Sequence, residues 1–111
     1  MDVDAFKAVN DTLGHAAGDE LLTQVARVLR EQVRAVDVAA RPGGDEFAVL
    51  MPSTDLTTAE AVAGRIAEGV RAASATGVSF GVAQLGEDAA DLDALLRAAD
   101  GRLYEMKRAV A

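Results

Sequence analysis

Residues 41–47 read Arg-Pro-Gly-Gly-Asp-Glu-Phe, and this stretch decides the fold. It lies between two largely apolar segments, residues 36–41 and 47–51, that each predict a short strand. Because glycine adopts positive φ without steric cost, the Gly-Gly pair predicts a tight hairpin turn with Asp45 and Glu46 at its tip. Two fixed carboxylates beside backbone that carries no side chains suit a divalent metal with a bound phosphate. On these residues alone, an ordinary solvated turn explains the pattern equally well.

The rest of the chain alternates between helical and strand patterns. Residues 57–60 fit a capping box that opens a helix, and Asp91 can cap the start of the last helix. The consecutive apolar residues at 47–51 predict a strand that is buried on both faces. The other predicted elements are a strand end at 1–4, helices at 5–13 and 17–34, and a strand at 77–85. The positions predicted to face the core are Leu21, Leu22, Val25, Val28, Leu29 and Val33, then Val62, Ile66, Val70 and Ala73, and finally Leu92, Leu95, Leu96, Ala99, Leu103 and Met106. Strands that alternate with helices predict an α/β class in which helices pack on a single sheet.

Length and composition limit the classes of function. The 111-residue chain suits one domain with a modest core, and 50% of its residues are hydrophobic, as in globular proteins. Its formal net charge of -7 disfavours broad electrostatic attraction to nucleic acid or anionic lipid. The absence of cysteine excludes disulfides and thiol chemistry. Because no signal peptide or apolar run of membrane-spanning length is recognised, we expect a cytoplasmic protein without a membrane segment.

A second motif gives the turn a chemical context. Residues 2–19 read Asp-Val-Asp-Ala-Phe-Lys-Ala-Val-Asn-Asp-Thr-Leu-Gly-His-Ala-Ala-Gly-Asp and match the pattern D-x-D-x-F-K-x-x-N-D-x-x-G-H-x-x-G-D at every fixed position. Together with residues 43–47, this resembles the GGDEF domain of bacterial diguanylate cyclases. The resemblance continues through residues 78–83 and 98–107, so residues 1–111 are identified as a partial GGDEF domain. Compared with the family pattern, we expect the N-terminal helix and most of the first strand to be missing, and residues 1–111 alone to show little cyclase activity.

The resemblance implies a reaction and a metal site. Family members join two GTP molecules into cyclic di-GMP and release two pyrophosphates, which requires a second GGDEF domain in a homodimer. The implied cofactor is Mg²⁺ or Mn²⁺, held by Asp2, by the backbone carbonyl of Val3 and by Asp45. Asp45 and Glu46 are the implied catalytic carboxylates. Glu46 is either a further ligand or a carboxylate that anchors the hairpin.

The resemblance also implies a site for GTP. The residues that it assigns to substrate binding are Phe6, Lys7, Asn10, Asp19, Gly43, Gly44 and Lys107. Asn10 and Asp19 can hydrogen-bond the edge of guanine, since the amide donates and accepts while the carboxylate accepts. Only two of the eleven basic residues are lysines, and both occupy positions where the family contacts phosphate. Without the resemblance, Asn10 is an ordinary residue near a helix end and Asp19 an ordinary acid in the first turn of a helix. The two lysines are then solvated side chains on helix faces.

A further constellation, Arg34 and Asp37, has the spacing of the family's R-x-x-D inhibitory site, where the product cyclic di-GMP binds. Arg65 aligns with another arginine that some members use there. Outside this family, such a spacing usually reflects a surface ion pair. The main alternative for the whole chain is therefore a non-catalytic domain that binds cyclic di-GMP or GTP, or an inactive fragment.

Overall fold

The computed structural model describes residues 1–74 and 76–110. These residues form four helices and four short strands. They are β1 (Asp2–Val3), α1 (Phe6–Leu13), α2 (His15–Gln32), β2 (Val38–Ala40), β3 (Ala48–Leu50), α3 (Leu56–Ala73), β4 (Val78–Ser79) and α4 (Leu92–Val110). None of the described helices is both long enough and apolar enough to cross a membrane.

The sheet consists of two antiparallel ladders that meet at β1. Strand β1 pairs with β4, placing Asp2 opposite Ser79, and β2 pairs with β3 in the hairpin. On its other side, Asp2 forms an isolated bridge with Glu46, and the Val3 amide donates to the Asp45 carbonyl at 2.9 Å. The predicted α/β class is confirmed, with helices packed against a small antiparallel sheet.

The core lies between α2, α3 and the ladder of β1 and β4. Its largest fully buried apolar side chains are Val3, Val25, Leu29, Ile66 and Val70. The inward face predicted for the second helix is confirmed, because Leu21, Leu22, Val25, Val28 and Leu29 are all buried. Burial of this apolar stripe, rather than intrinsic helix propensity, is what fixes α2 against the sheet.

The tight Gly-Gly turn predicted for the hairpin is wrong. Ala40 pairs with Ala48, so residues 41–47 form a wide connection, and neither Gly43 nor Gly44 has a positive φ. The physical reason is that the end of this connection pairs with β1, which holds it open. The predicted burial of the second strand on both faces is also wrong. Strand β3 is at most half-buried, since β2 and β3 pack mainly against each other.

Within the predicted strand at 77–85, the ladder with another strand is limited to β4, and Leu85 forms an isolated bridge with nearby Ala89. Beyond β4, backbone groups bond to side chains instead of to a neighbouring strand: the Phe80 amide donates to Met106 Sδ at 3.2 Å, and the Gln84 amide to Asp88 at 2.8 Å. Helix α4 also lies directly on Gly81, where a Cβ would come within 1.9 Å of the Ala99 carbonyl oxygen. A strand partner on this side is therefore replaced by a helix.

Two predictions about helix starts had different outcomes. The cap of α3 is Asp55, which accepts a hydrogen bond from the Thr58 amide at 2.7 Å, so the predicted capping box at 57–60 is wrong. The cap at Asp91 is confirmed by its 2.8 Å bond from the Ala94 amide. Three positions predicted to face the core are exposed, so the prediction is wrong for them: Ala73, Leu92 and Leu96.

Candidate metal and nucleotide site

Strand β1 and the hairpin connection together form an acidic edge, which we define as Asp2, Val3, Asp4 and Asp45. Backbone hydrogen bonds between β1 and residues 45–47 bring these groups together from distant parts of the sequence. Besides the bond from Val3 to Asp45, the Phe47 amide donates to the Met1 carbonyl at 2.7 Å. The acidic edge is therefore built by backbone pairing between distant segments.

Lys107 of α4 reaches into the acidic edge. Its Nζ lies 2.8 Å from Asp2 Oδ2, in an ion pair whose side chains are 37% and 18% exposed for Lys107 and Asp2. The hydrogen bond that the Lys107 ammonium donates to Asp2 raises the pKa of that ammonium, and the charges of Asp2, Asp45 and Asp4 add to this effect. The ammonium thus occupies a position that is attractive to cations in general.

The donor set fits a metal ion that arrives with phosphates. Within the described residues, no three metal-binding side chains converge on one point. The implied ligands Asp2, Asp45 and the Val3 carbonyl amount to two carboxylates and one backbone oxygen. Mg²⁺ in proteins is typically held by one or two carboxylates together with water and substrate phosphates. The ammonium of Lys107 already acts as a stand-in cation at this place.

Asp4 was not among the predicted site residues, although it helps to build the edge. Its Oδ1 accepts a hydrogen bond from the hydroxyl of Ser79 at 2.7 Å, and Ser79 is only 1% exposed. Its amide donates to the Gly77 carbonyl at 2.9 Å. Alternation along a strand, which turns residues 2 and 4 to the same face, is the signal that could have identified it.

Asn10, predicted to read guanine, lies where α1 packs on α2. Its Oδ1 is buried and has no hydrogen-bond partner among the described residues. A Cβ on Gly18 would come within 1.9 Å of this oxygen, so glycine is required for the amide to lie there. A buried polar atom without a partner is costly, which makes this amide a candidate for completing its bonds with a ligand.

The other predicted nucleotide contacts differ in their exposure. Asp19 and Lys7 are exposed, and Phe6 is half-buried against the core. A Cβ on Gly44 would meet nothing within 4 Å, whereas one on Gly43 would lie 3.0 Å from Glu46 Oε1. The backbone at Gly44 is therefore open to close approach. A separate groove of about 800 Å³ between α1, α2 and the end of α3 is lined by none of the predicted site residues.

The R-x-x-D residues form a compact hydrogen-bonded cluster that shares no residue with the acidic edge. Arg34 Nη2 lies 2.8 Å from Asp37 Oδ1, and the same nitrogen donates to the Pro52 carbonyl at 2.9 Å and to Thr54 Oγ1 at 2.8 Å. The side-chain hydrogen bond from Arg34 lowers the pKa of Asp37, and the Arg34 amide adds a backbone bond. Within the described chain, no hydrogen bond or ion pair joins the exposed Arg65 to this cluster.

Comparison with known proteins assigns the family. The family model for "Diguanylate cyclase, GGDEF domain" matches residues 1–111. The chain belongs to the GGDEF family. The resemblance seen in the sequence is thereby confirmed along its whole length.

Individual relatives agree with this assignment. Diguanylate cyclase A of Treponema denticola is 39% identical over 97% of this chain, which spans 31% of that protein. A sensory box/GGDEF family protein from Caulobacter crescentus superimposes with a TM-score of 0.86 at 40% identity, covering 97% of this chain and 75% of the other. The GGDEF domain of DgcB from Caulobacter crescentus, solved in complex with c-di-GMP, gives a TM-score of 0.87 at 29% identity, covering 97% of this chain and 69% of that one.

Proposed function

We propose that this GGDEF chain is a diguanylate cyclase catalytic domain that condenses two GTP molecules into cyclic di-GMP and two pyrophosphates. The observation that carries the proposal is the acidic edge, where backbone pairing brings Asp2 and Val3 next to Asp45 and the Lys107 ammonium bonds to Asp2. Such an edge suits a triphosphate that arrives with Mg²⁺ or Mn²⁺. The family assignment supports the same conclusion.

The proposed chemistry is a pair of displacements at phosphorus. In each, a 3′-hydroxyl gives its proton to water and its oxygen bonds to the α-phosphorus of the other GTP, while the bond from that phosphorus to the bridging oxygen breaks and pyrophosphate leaves. A bound divalent cation would neutralise the phosphate oxygens and lower the pKa of the attacking hydroxyl. Asp2, Val3 and Asp45 would hold it. Glu46, next to Asp45, would serve as a further carboxylate near the reacting groups.

The chain's own residues would bind and orient the nucleotide. The unpartnered amide of Asn10 and the exposed carboxylate of Asp19 would read the guanine edge. Gly44 would let backbone approach the phosphates, and Lys7 and Lys107 would supply point charges to them. Phe6 would support the base from the side of the core.

The reaction requires two GTP-loaded domains, so the proposed partner is a second GGDEF domain in a homodimer. Because each domain would present one GTP to the other, orientation of the two domains would control the rate. Cyclic di-GMP would bind at Arg34 and Asp37, with Arg65 as an additional cation, and would inhibit by fixing the domains apart.

The test is chromatography of GTP incubated with the protein and Mg²⁺. In line with the low activity expected of residues 1–111 alone, we expect cyclic di-GMP and pyrophosphate to accumulate slowly, and we expect removal of the metal with a chelator to stop both. Intact GTP, combined with tight binding of cyclic di-GMP, would instead support the alternative of a non-catalytic receptor. Intact GTP without binding of either nucleotide would overturn both functions.

A substitution beside Asn10 tests base recognition without touching a proposed nucleotide contact. In Gly18→Ala, the new methyl would occupy the position of Asn10 Oδ1 and displace the amide. We expect GTP affinity to fall by about tenfold, the value of one good hydrogen bond. Helix α2 should remain intact, since alanine favours a helix over glycine. Calorimetry with GTP against Thr23→Ala, an exposed α2 control, would show whether the loss is specific.

A further inference from the structure

The position of Lys107 raises a question about the order of binding at the acidic edge. The ammonium lies 2.8 Å from Asp2 Oδ2, one of the carboxylates that the proposed function assigns to the metal. Asp45 and Asp4 lie close enough to act on the same ammonium. The Lys107 ammonium and a metal ion would therefore compete for the same carboxylates.

The ion pair is built so that it can open. It joins residues 105 positions apart through a single hydrogen bond, and the Lys107 side chain is 37% exposed. A lysine carries its charge on a flexible four-carbon stem, so the ammonium can move to another anion without movement of α4. By contrast, Asp2 is held in register on β1 between Ser79 and Glu46. The lysine is the mobile member of the pair.

We propose that Lys107 is an internal counter-cation that keeps divalent metal off the acidic edge until a triphosphate arrives. Without nucleotide, a metal at Asp2 must displace the ammonium and then remain beside its positive charge, which costs affinity. With a triphosphate, the ammonium gains a new anionic partner in the phosphates and releases Asp2. Metal and triphosphate binding are thereby coupled, and each favours the other.

This inference rests on the proposed function, and it predicts opposite effects of one substitution. Removal of the Lys107 charge should raise the affinity for metal alone and lower the affinity for the triphosphate. If Lys107 only stabilised the fold, its removal would weaken the affinity for metal and the affinity for the triphosphate. If it only contacted phosphate, its removal would leave the affinity for metal alone unchanged. The sign of the first effect therefore distinguishes the three roles.

The experiment measures Mn²⁺ binding to the 111-residue chain by the loss of the paramagnetic resonance signal of free Mn²⁺. It is run without nucleotide and then with α,β-methylene GTP, an analogue that cannot release pyrophosphate. We expect Lys107→Gln to bind Mn²⁺ alone about three- to tenfold more tightly, as for a partly exposed ion pair. The same variant should bind the analogue at least about tenfold more weakly in the presence of Mn²⁺.

Two control variants make the result specific. Arg108→Gln removes the same charge one residue further along α4, where the guanidinium lies 6.0 Å from the centre of the Tyr104 ring. It should leave the affinity for Mn²⁺ within about twofold of the wild-type value, because exposed charges are strongly screened. Adding Asp2→Asn to Lys107→Gln should abolish the gain. Thermal unfolding of each variant confirms that it is folded.

The outcomes separate this inference from the proposed function. Equal Mn²⁺ affinity in the wild type and Lys107→Gln, with nucleotide binding retained, would overturn the counter-cation role alone. A gain of equal size in Arg108→Gln would also overturn it, since the effect would then be one of net charge. Failure of every variant to bind Mn²⁺, with or without the analogue, would overturn the metal site itself.

Discussion

The acidic edge and the R-x-x-D cluster both contain an aspartate paired with a basic side chain, but the two pairs are built differently. Asp2 and Lys107 lie 105 residues apart and share one hydrogen bond. Arg34 and Asp37 are three residues apart, and Asp37 also accepts from the Arg34 amide. The Asp37 side chain is 2% exposed, compared with 18% for Asp2.

This difference indicates how readily each pair can exchange its partner for a ligand. At the acidic edge, one flexible ammonium has to move. In the cluster, Arg34 also donates to the Pro52 carbonyl and to Thr54, so a ligand that takes the arginine must replace bonds that hold the segment after the hairpin. The pair at the acidic edge can thus exchange its partner more readily, whereas release of Arg34 in the cluster would disturb the segment at Pro52 and Thr54.

The largest expected effect concerns Asp45. We predict that Asp45→Ala lowers GTP turnover by about a hundredfold or more, the usual cost of losing a group that stabilises charge in the transition state. Its thermal unfolding midpoint should change little, because the bond that Asp45 contributes to the fold uses its backbone carbonyl, which alanine keeps.

The matched control for that prediction is Asp55→Ala. Asp55 caps α3 by accepting from the Thr58 amide, so this variant should melt earlier and still turn over GTP. Undiminished turnover in Asp45→Ala would remove Asp45 from the metal site. An equal loss in both variants would show that turnover depends on general stability.

The next effect tests the cluster. We predict that Arg34→Ala weakens cyclic di-GMP binding by about tenfold or more, since it removes a guanidinium able to contact phosphate or guanine. It should also lower the unfolding midpoint, because the bonds to Pro52 and Thr54 are lost. Calorimetry with cyclic di-GMP and thermal melts measure the two effects separately.

Thr54→Val sharpens this test. It removes one acceptor of Arg34 and leaves the arginine paired with Asp37. It should therefore lower the unfolding midpoint slightly and retain the affinity for cyclic di-GMP. Equal cyclic di-GMP affinity in Arg34→Ala and the wild type would mean that the cluster is only a structural clamp.

The sequence predicted the helices better than the strands. The stripe from Leu21 to Leu29 identifies α2 because helical burial repeats within one segment. The shape of the hairpin connection was missed because it depends on a distant partner, β1, which pairs with residues 45–47. The observed strand β4 is shorter than the strand predicted at 77–85 for a similar reason, since α4 covers the backbone at Gly81.

The candidate site shows the same limit. Motifs in the sequence point to Asp2, Asn10 and Asp45 as candidates, and the structure brings the backbone of Asp2 and Asp45 together. The pairing of Lys107 with Asp2 could not be predicted from the sequence. The resemblance implies a phosphate contact for Lys107 and a metal contact for Asp2, and neither motif refers to the other. The roles of Asp4 and Gly18 were also missed, as both depend on packing between elements rather than on local pattern.

The smallest expected effect is a dependence of stability on pH at the cluster. Hydrogen bonding to Arg34 lowers the pKa of Asp37 from its ordinary value of 3.8. A carboxylate with a lowered folded-state pKa stabilises the protein above its unfolded-state pKa, and this contribution is lost as the pH falls through the folded-state value. Asp37→Asn should therefore melt earlier than the wild type at pH 7, and the difference should shrink below a pH of about 3.8.

Thermal unfolding of both proteins from neutral to acidic pH tests this prediction. The pKa values of Asp55 and Asp88 are also lowered, by hydrogen bonds from Thr58 and from Arg102, so the absolute midpoints of both proteins should fall in acid. Subtracting one curve from the other removes these shared contributions and leaves that of Asp37. A difference in unfolding midpoint that stays constant through the acid range would show that the Asp37 charge does not stabilise the R-x-x-D cluster. The contrast with the acidic edge would then rest on the neutral hydrogen bonds of the cluster.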